Sequence, residues 1–134
     1  MPKESKDTKI VKVLLLEDEA ALANLYLKKL TEEKFQVRVH SDIDELFEKF
    51  DDFDPDIAFL DCSLGRDKKS GVDIIPLLLK KKPDIKIVML SNYSEFQMEK
   101  QAKEAGAVDY LLKINTSPTV LANYAKKLAR KLLK

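Results

Sequence analysis

The amino-acid sequence predicts one α/β domain, with a five-stranded parallel sheet covered by helices on both faces. Strand-like apolar runs alternate with helix-length segments along the whole chain. The runs are largely apolar, which is typical of strands that are buried on both faces of a parallel sheet. The 134 residues are 45% hydrophobic and 35% charged, which suits a single compact domain with a core.

The first part of the chain gives two strands and two helices. Residues 11–16 form an apolar run, and residues 20–30 carry apolar side chains at helical spacing. Residues 35–40 alternate between apolar and polar side chains, as a half-buried strand does. Asp42 is a suitable N-cap for the next helix, and Glu45 follows three residues later, as in a capping box.

The second part of the chain continues the alternation. Pro76 stands inside a predicted helix, so that helix is expected to be kinked or to begin late. Gly106 follows the next helix and suits the C′ position, where a left-handed backbone is common. The predicted strands are 57–60, 85–90 and 108–112, and the predicted helices are 72–82, 94–105 and 116–134.

Polar residues follow the predicted strands where each one ends. An acidic triplet at 17–19 follows the first strand, Asp61 the third, Ser91 the fourth and Lys113 the fifth. Ligands of open parallel sheets bind beyond the carboxyl ends of the strands, so these side chains are expected to meet. Carboxylates suit Mg²⁺, an aspartate can attack phosphorus, and lysine binds phosphoryl oxygens. The set predicts metal-assisted phosphoryl transfer to a carboxylate.

Composition argues against several other classes of function. The formal net charge of +1 gives no drive toward nucleic acid, and no apolar run approaches the length of a membrane span. The single cysteine, Cys62, excludes an intramolecular disulfide and fits a reducing, cytoplasmic interior. The single histidine, His40, excludes a multi-histidine metal site. We expect residues 1–9 to form a disordered tail and residues 10–134 to form the domain.

Four motifs resemble those of the response regulator receiver family, and the resemblance covers roughly residues 10–132. They are LLLEDE at 14–19, PDIAFLD at 55–61, IVMLSNY at 87–93 and GAVDYLLK at 106–113, each ending a predicted strand. The resemblance implies a flavodoxin-like, doubly wound five-stranded parallel sheet of order 2-1-3-4-5 with five helices. It also implies a cytoplasmic phosphoacceptor signalling domain of two-component phosphorelays rather than a free-standing enzyme.

The resemblance implies a metal site and a phosphoacceptor. By position, the family's phosphoacceptor falls on Asp61 and its acidic pair on Glu17 and Asp18. The family's Mg²⁺ is held by these carboxylates, with Glu17 acting mainly through water, and by a backbone carbonyl that falls on Ser63. A histidine kinase or a histidine phosphotransfer protein would supply the phosphoryl group.

The resemblance also implies a switch. Lys113 matches the phosphate-binding lysine, Ser91 the switch hydroxyl and Tyr110 the aromatic switch position. In the expected cycle, Lys113 pairs with the phosphorylated aspartate, Ser91 moves to hydrogen-bond it, and Tyr110 turns inward. An output partner would then read the face formed by the fourth helix, the fifth strand and the fifth helix. Neither direct binding of nucleic acid nor a membrane is implied.

The sequence departs from the family pattern at two places. Receivers usually have a proline after the lysine with a cis peptide between them, whereas Ile114 follows Lys113 here. A cis bond before a residue other than proline costs about 2.5–4 kcal/mol, so the bond is either trans or strained. Many receivers have a glycine eight residues after the aspartate. Here Gly71 stands ten residues after Asp61, which indicates a two-residue insertion with basic residues at 66–69.

Alternative readings remain beside the receiver hypothesis. Asp18 or Glu19 could simply cap the first helix, and Cys62 suits a small buried position. Haloacid-dehalogenase-type phosphatases also use a strand-end aspartate, but they carry a second aspartate two residues later, where this chain has Ser63. A receiver-like interaction module that works without phosphate is a third class. The basic last helix could dock an acidic partner or form a dimer contact.

Overall fold

The computed structural model describes residues 9–62 and 71–132 of the chain. The predicted tail at 1–9 falls outside these residues apart from Lys9, and so do Ser63 and the loop segment 65–70. The strands are β1 (Lys12–Leu16), β2 (Gln36–His40), β3 (Ile57–Asp61), β4 (Lys86–Ser91) and β5 (Asp109–Leu112). The helices are α1 (Ala20–Glu32), α2 (Ile43–Phe53), α3 (Gly71–Lys81), α4 (Phe96–Ala105) and α5 (Pro118–Leu132), and a 3-10 turn spans Lys113–Asn115.

The strands form one parallel sheet in the order β2-β1-β3-β4-β5. This order confirms the doubly wound fold that the resemblance implied. It also places the carboxyl ends of all the strands along one edge. Among the described residues, no helix combines the length and the apolar content that crossing a membrane requires.

The strand β1 contributes side chains to two hydrophobic cores, one on each face of the sheet. Its side chains alternate between the two faces of the sheet. Leu14 and Leu16 pack with α2, α3 and α4, whereas Val13 and Leu15 pack with α1 and α5. All four side chains are fully buried. The continuous apolar runs of the sequence therefore reflect burial on both faces, as predicted.

The capping box predicted at α2 is only half formed. The Asp42 side chain accepts a hydrogen bond from the Glu45 N–H at 2.8 Å, so the N-cap prediction is confirmed. The carboxylate of Glu45 lies 3.0 Å from Nδ1 of His40. This histidine is buried at the end of β2. The acidic side chain therefore contacts the ring of a buried neighbour rather than completing the box.

The ends of the later helices only partly follow the predictions. Pro76 lies inside α3, and the helix begins at Gly71, so the alternative of a late start is wrong. Gly106 closes α4 with a φ of 121°, and its N–H bonds to carbonyls of the last turn, as predicted.

The amino ends of the strands carry charges that compensate each other. Asp56 accepts a hydrogen bond from the backbone N–H of Lys12 at 2.9 Å. Its other carboxylate oxygen lies 3.4 Å from Nζ of Lys9 and 3.6 Å from Nζ of Lys82. Lys82 also lies 3.1 Å from a carboxylate oxygen of Asp54. These contacts tie the start of β1 to β3 at the edge opposite the strand-end acids.

Candidate functional site

Three carboxylates meet at the carboxyl ends of β1 and β3. Glu17 and Asp18 follow β1 directly, and Asp61 is the last residue of the neighbouring β3. One oxygen from each lies within 4.8 Å of the others. Glu17 and Asp61 are only 1% and 3% exposed, whereas Asp18 is open to solvent. Buried like charges at this distance destabilise the fold unless a cation lies between them.

Lys113 supplies positive charge to this cluster. Its Nζ lies 2.8 Å from Oε1 of Glu17 and 3.1 Å from Oδ2 of Asp61, and its side chain is 8% exposed. It reaches from the end of β5 to β1, across the ends of β4 and β3. Burial acts to lower the pKa of Lys113, but its hydrogen bonds and charge contacts with Glu17 and Asp61 outweigh burial and raise it. The lysine therefore stays protonated at neutral pH.

Folding stability should fall at alkaline pH because of Lys113. Its pKa is raised above the ordinary value of 10.5, so the folded state holds this proton more tightly than the unfolded state. The stabilisation is complete below that unfolded value and is lost as pH rises through the folded pKa. Urea unfolding from about pH 9 to about pH 12, a range that extends above the unfolded pKa, should show a steeper decline for wild type than for Lys113→Ala.

The exposed Lys100 provides the control for this pH dependence. Its side chain is 58% exposed and lies 3.9 Å from Glu104 on the same helix. The variant Lys100→Ala should keep the alkaline decline of the wild type, because an exposed pair of this kind contributes little. Equal slopes for wild type and Lys113→Ala would show that the buried lysine does not couple proton binding to folding.

The peptide bond between Lys113 and Ile114 is trans. The absence of proline after Lys113 allowed either a trans bond or a strained cis bond, and the bond is trans. The chain turns through the 3-10 segment Lys113–Asn115, and Nζ of Lys113 still reaches Asp61. The side chain of Ile114 is 85% exposed, so its packing does not hold the turn in place.

Ser91 and Tyr110 share one backbone acceptor. The hydroxyl of Ser91 donates to the carbonyl of Tyr93 at 3.0 Å and accepts from its N–H at 3.1 Å. The hydroxyl of Tyr110 donates to the same carbonyl at 3.1 Å, and the Tyr110 side chain is largely buried. The ring of Tyr110 thus lies inward while Ser91 is bonded to Tyr93. The two predicted switch residues are brought together, and Tyr93 joins them.

Gly71 packs directly against the backbone of Asp61. A Cβ atom on Gly71 would lie 2.3 Å from the carbonyl oxygen of Asp61 and 2.9 Å from Cε of Met89. The N–H of Gly71 also bonds to the carbonyl of Cys62 at 3.1 Å. The sequence indicated a turn residue here, whereas the structure requires glycine for close approach. Ser63, the remaining predicted metal ligand, lies outside the described residues.

The alternative that Asp18 or Glu19 simply caps the first helix is not supported at α1. Glu19 is the N-cap residue, and its side chain makes no capping bond. Its backbone N–H donates to Oε2 of Glu17 at 3.1 Å. The two oxygens of Glu17 therefore have separate contacts, one with the start of α1 and one with Lys113. This arrangement fixes the orientation of the buried carboxylate.

Sequence reasoning missed Tyr26 and Thr116. Tyr26 is fully buried, and its hydroxyl donates to the backbone carbonyl of Thr116 at 2.8 Å, just after the turn that holds Lys113. A tyrosine on an apolar helix face signals a hydroxyl that needs a buried partner. The partner is 90 residues away in the chain, so no local pattern identifies it.

Comparisons with known proteins agree with this geometry. The protein AlgB of Pseudomonas aeruginosa, an alginate biosynthesis transcriptional regulatory protein, is 29% identical over 110 residues, which cover 82% of this chain and 24% of AlgB. The chain spans about a fifth to a half of the length of its curated relatives. A response regulator receiver domain protein from Methanospirillum hungatei has the same fold, with a TM-score of 0.83 and 20% identity over 92% of this chain and 96% of that one.

A second solved structure is also similar. It is a response regulator protein from Burkholderia pseudomallei, with a TM-score of 0.76 and 26% identity, covering 92% of this chain and 74% of that one. The sequence profile of the response regulator receiver domain matches residues 13–125, which include every described site residue. With the fold, the strand-end acids and this match in agreement, the chain belongs to the response regulator receiver domain family of two-component signalling.

Proposed function

We propose that Asp61 accepts a phosphoryl group from a phosphohistidine of a histidine kinase or a histidine phosphotransfer protein. The observation that carries the proposal is the contact of Asp61 with Lys113 beside the acidic pair Glu17 and Asp18. A carboxylate in contact with a charged lysine has a partner ready for the phosphoryl oxygens. The chain then signals by a change of shape, as a phosphoacceptor and not as a free-standing enzyme.

In the proposed reaction, a carboxylate oxygen of Asp61 attacks phosphorus while the bond from phosphorus to the histidine nitrogen breaks. The electron pair of that bond stays with the imidazole, and the new bond is an acyl phosphate. Lys113 pairs with the phosphoryl oxygens and offsets their added negative charge. Glu17 keeps the lysine directed toward Asp61, since Nζ lies between the two carboxylates.

The donor set fits Mg²⁺. One oxygen from each of Glu17, Asp18 and Asp61 falls within 4.8 Å of the others. With three carboxylates and one ammonium, the formal charges of these side chains and Lys113 sum to −2, which a divalent cation balances. When bound, Mg²⁺ supplies charge neutralisation for the incoming phosphoryl group. Asp18, Asp61 and the Ser63 carbonyl would hold it, with Glu17 mainly through water.

The proposed switch begins at Ser91. Its hydroxyl bonds to Tyr93 and would move to a phosphoryl oxygen on Asp61. That movement would leave the Tyr93 carbonyl to Tyr110 alone and would stabilise the inward position that the ring already has. The movement of Ser91 would change the face of α4, β5 and α5, and an output partner would read that face. This is a local charge event that biases a two-state element.

A relative supports the chemistry of the proposal. The Burkholderia pseudomallei response regulator carries a phosphorylated aspartic acid and a calcium ion in its structure. By analogy, we infer an aspartyl phosphate and a hard divalent cation at Asp61 in this chain. We also place the protein in the cytoplasm, where the buried free thiol of Cys62 stays reduced.

The test is binding of beryllofluoride, an analogue of the aspartyl phosphate, measured by fluorine NMR with and without Mg²⁺. We expect a bound fluoride signal only when Mg²⁺ is present, and labelling of Asp61 by acetyl phosphate under the same conditions. Neither signal would appear if the chain were a receiver-like module that works without phosphate. Steady release of inorganic phosphate from many phosphomonoesters would instead favour a phosphatase.

The variant Gly71→Ala should weaken both the fold and this binding. A methyl group 2.3 Å from the Asp61 carbonyl oxygen forces the start of α3 away from β3. We expect a loss of about 1–3 kcal/mol of unfolding free energy, as for other overpacked sites. Urea unfolding measures that loss, and fluorine NMR measures the weaker beryllofluoride affinity that follows from the shifted Asp61 backbone.

Gly106→Ala is the matched control for this prediction. Gly106 has a φ of 121°, and a Cβ there would lie 2.3 Å from Cδ1 of Leu79, at the opposite end of the sheet. This variant should lose stability and keep the wild-type affinity for beryllofluoride. If the two alanine variants bind the analogue equally well, the packing of Gly71 does not position Asp61.

A further inference from the structure

Lys113 must be held in place by its surroundings, because its side chain serves two partners at once. Its Nζ lies within 3.1 Å of both Glu17 and Asp61, and its side chain is 8% exposed. A lysine has four rotatable bonds and many rotamers, so its backbone position decides whether Nζ can reach both carboxylates. The next residue, Ile114, is 85% exposed and contributes little packing.

The turn after Lys113 is fixed from its far side by Thr116. The N–H of Thr116 donates to the carbonyl of Lys113 at 3.0 Å. Its hydroxyl donates to the carbonyl of Leu112 at 2.6 Å. Thr116 is itself only 4% exposed. Thr116 therefore bonds to the two carbonyl groups that flank the Cα atom of Lys113, those of Leu112 and of Lys113 itself.

Tyr26 connects Thr116 to the rest of the site. Its hydroxyl donates to the carbonyl of Thr116 at 2.8 Å, and the whole side chain is buried. Tyr26 belongs to α1, the helix that begins at Ala20, two residues after Asp18. Burial raises the pKa of Tyr26, so its hydroxyl keeps the proton that it donates to Thr116.

We infer that Tyr26 is a positioning residue for phosphoryl transfer: through Thr116, it holds Lys113 against Asp61 and Glu17. The inference rests on the proposed function of Asp61. A single bond from α1 to the lysine turn fixes the separation between the acidic pair and the lysine. The bond from Tyr26 to Thr116 holds the turn in place, which the exposed side chain of Ile114 does not do by packing. The hydroxyl of Tyr26 donates to the Thr116 carbonyl and not to a carboxylate of the site, so we assign its effect to the lysine turn.

Tyr26→Phe tests the inference because it removes only the hydroxyl. We expect the affinity for Mg²⁺-beryllofluoride to fall by about two- to tenfold, the range given by the loss of one neutral hydrogen bond. The maximal rate of labelling by acetyl phosphate should fall, while its half-saturating concentration stays nearly unchanged. Fluorine NMR gives the affinity, and mass spectrometry of the labelled protein gives the rate.

Tyr124→Phe is the matched control. The hydroxyl of Tyr124 donates to the Asp109 carboxylate at 2.7 Å, near the amino end of β5 and away from Lys113. Both variants lose one tyrosine hydroxyl and its hydrogen bond. Only Tyr26→Phe should change beryllofluoride affinity. An equal loss of affinity in both variants would show a general effect of stability and would overturn the inference.

A double-mutant cycle separates positioning from a purely structural role. In the Lys113→Ala background, Tyr26→Phe should cause no further loss of beryllofluoride affinity, because the residue it positions is gone. An unchanged loss in that background overturns the inference. If Tyr26→Phe does not fold, Thr116→Val removes the hydroxyl bond to Leu112 and should give the same pattern. Failure of wild type to bind beryllofluoride would instead count against the proposed function.

Discussion

Replacing Asp61 with asparagine should abolish phosphorylation of the chain. The amide keeps the shape of the side chain but lacks the negative oxygen that attacks phosphorus. Asp61 is buried at the end of β3 and lies 3.1 Å from Lys113, so the substitution removes the nucleophile and leaves its surroundings in place. We expect labelling by acetyl phosphate, or by a phosphorylated histidine kinase, to fall below detection.

Asp84→Asn provides the control for Asp61→Asn. Asp84 is exposed and lies between α3 and β4, at the amino edge of the sheet. This variant should be labelled at the rate and level of the wild type. Mass spectrometry after borohydride reduction measures both the level and the position of the acyl phosphate. Labelling of Asp61→Asn at an undiminished level would assign the phosphoacceptor to another carboxylate.

Replacing Lys113 with alanine should destabilise the fold strongly in metal-free buffer. The change leaves Glu17 and Asp61 buried beside each other without the ammonium that lies between them. Breaking a buried ion pair on one side costs about 3–5 kcal/mol, because a buried charge loses its compensation. Urea unfolding with a chelator present should show a loss in this range. The exposed Lys100→Ala should lose at most about 1 kcal/mol.

Mg²⁺ should restore part of the stability that Lys113→Ala loses. Without the ammonium, the formal charge of the three carboxylates becomes −3, so a divalent cation binds the folded variant more tightly than it binds the wild type. Tighter binding to the folded state gives a larger stabilisation at the same metal concentration. An equal gain on adding Mg²⁺ to both proteins would contradict a shared site for the lysine and the metal.

The sequence identified the strand-end residues because the topology of a parallel sheet brings them together. Glu17, Asp61 and Lys113 each stand just after an apolar run, and their convergence follows from strand direction. Sequence patterns did not reveal that Lys113 also contacts Glu17. The proline expected after the lysine is absent, and the trans bond at Ile114 still leaves Nζ against Asp61.

Other features depend on tertiary contacts that leave no local pattern. The bond from Tyr26 to Thr116 joins two helical regions that only the finished fold brings together. The helix α3 begins at Gly71, ahead of Pro76, and the close approach of Gly71 to the Asp61 carbonyl is a contact between distant parts of the fold. Glu45 suited a capping box, but the buried ring of His40 takes its carboxylate. Local propensity cannot rank such competing partners.

The contacts of Lys113 with Glu17 and Asp61 also bear on the order in which the chain folds. Lys113 and Glu17 are 96 residues apart in the chain (113 − 17 = 96), and Tyr26 and Thr116 are 90 residues apart. Closing such long loops costs entropy before any contact stabilises them, so we expect these contacts to form after the folding transition state. Contacts that form late act mainly on the unfolding rate. The residues of the site therefore govern how long the folded state lasts, and much less how quickly it is reached.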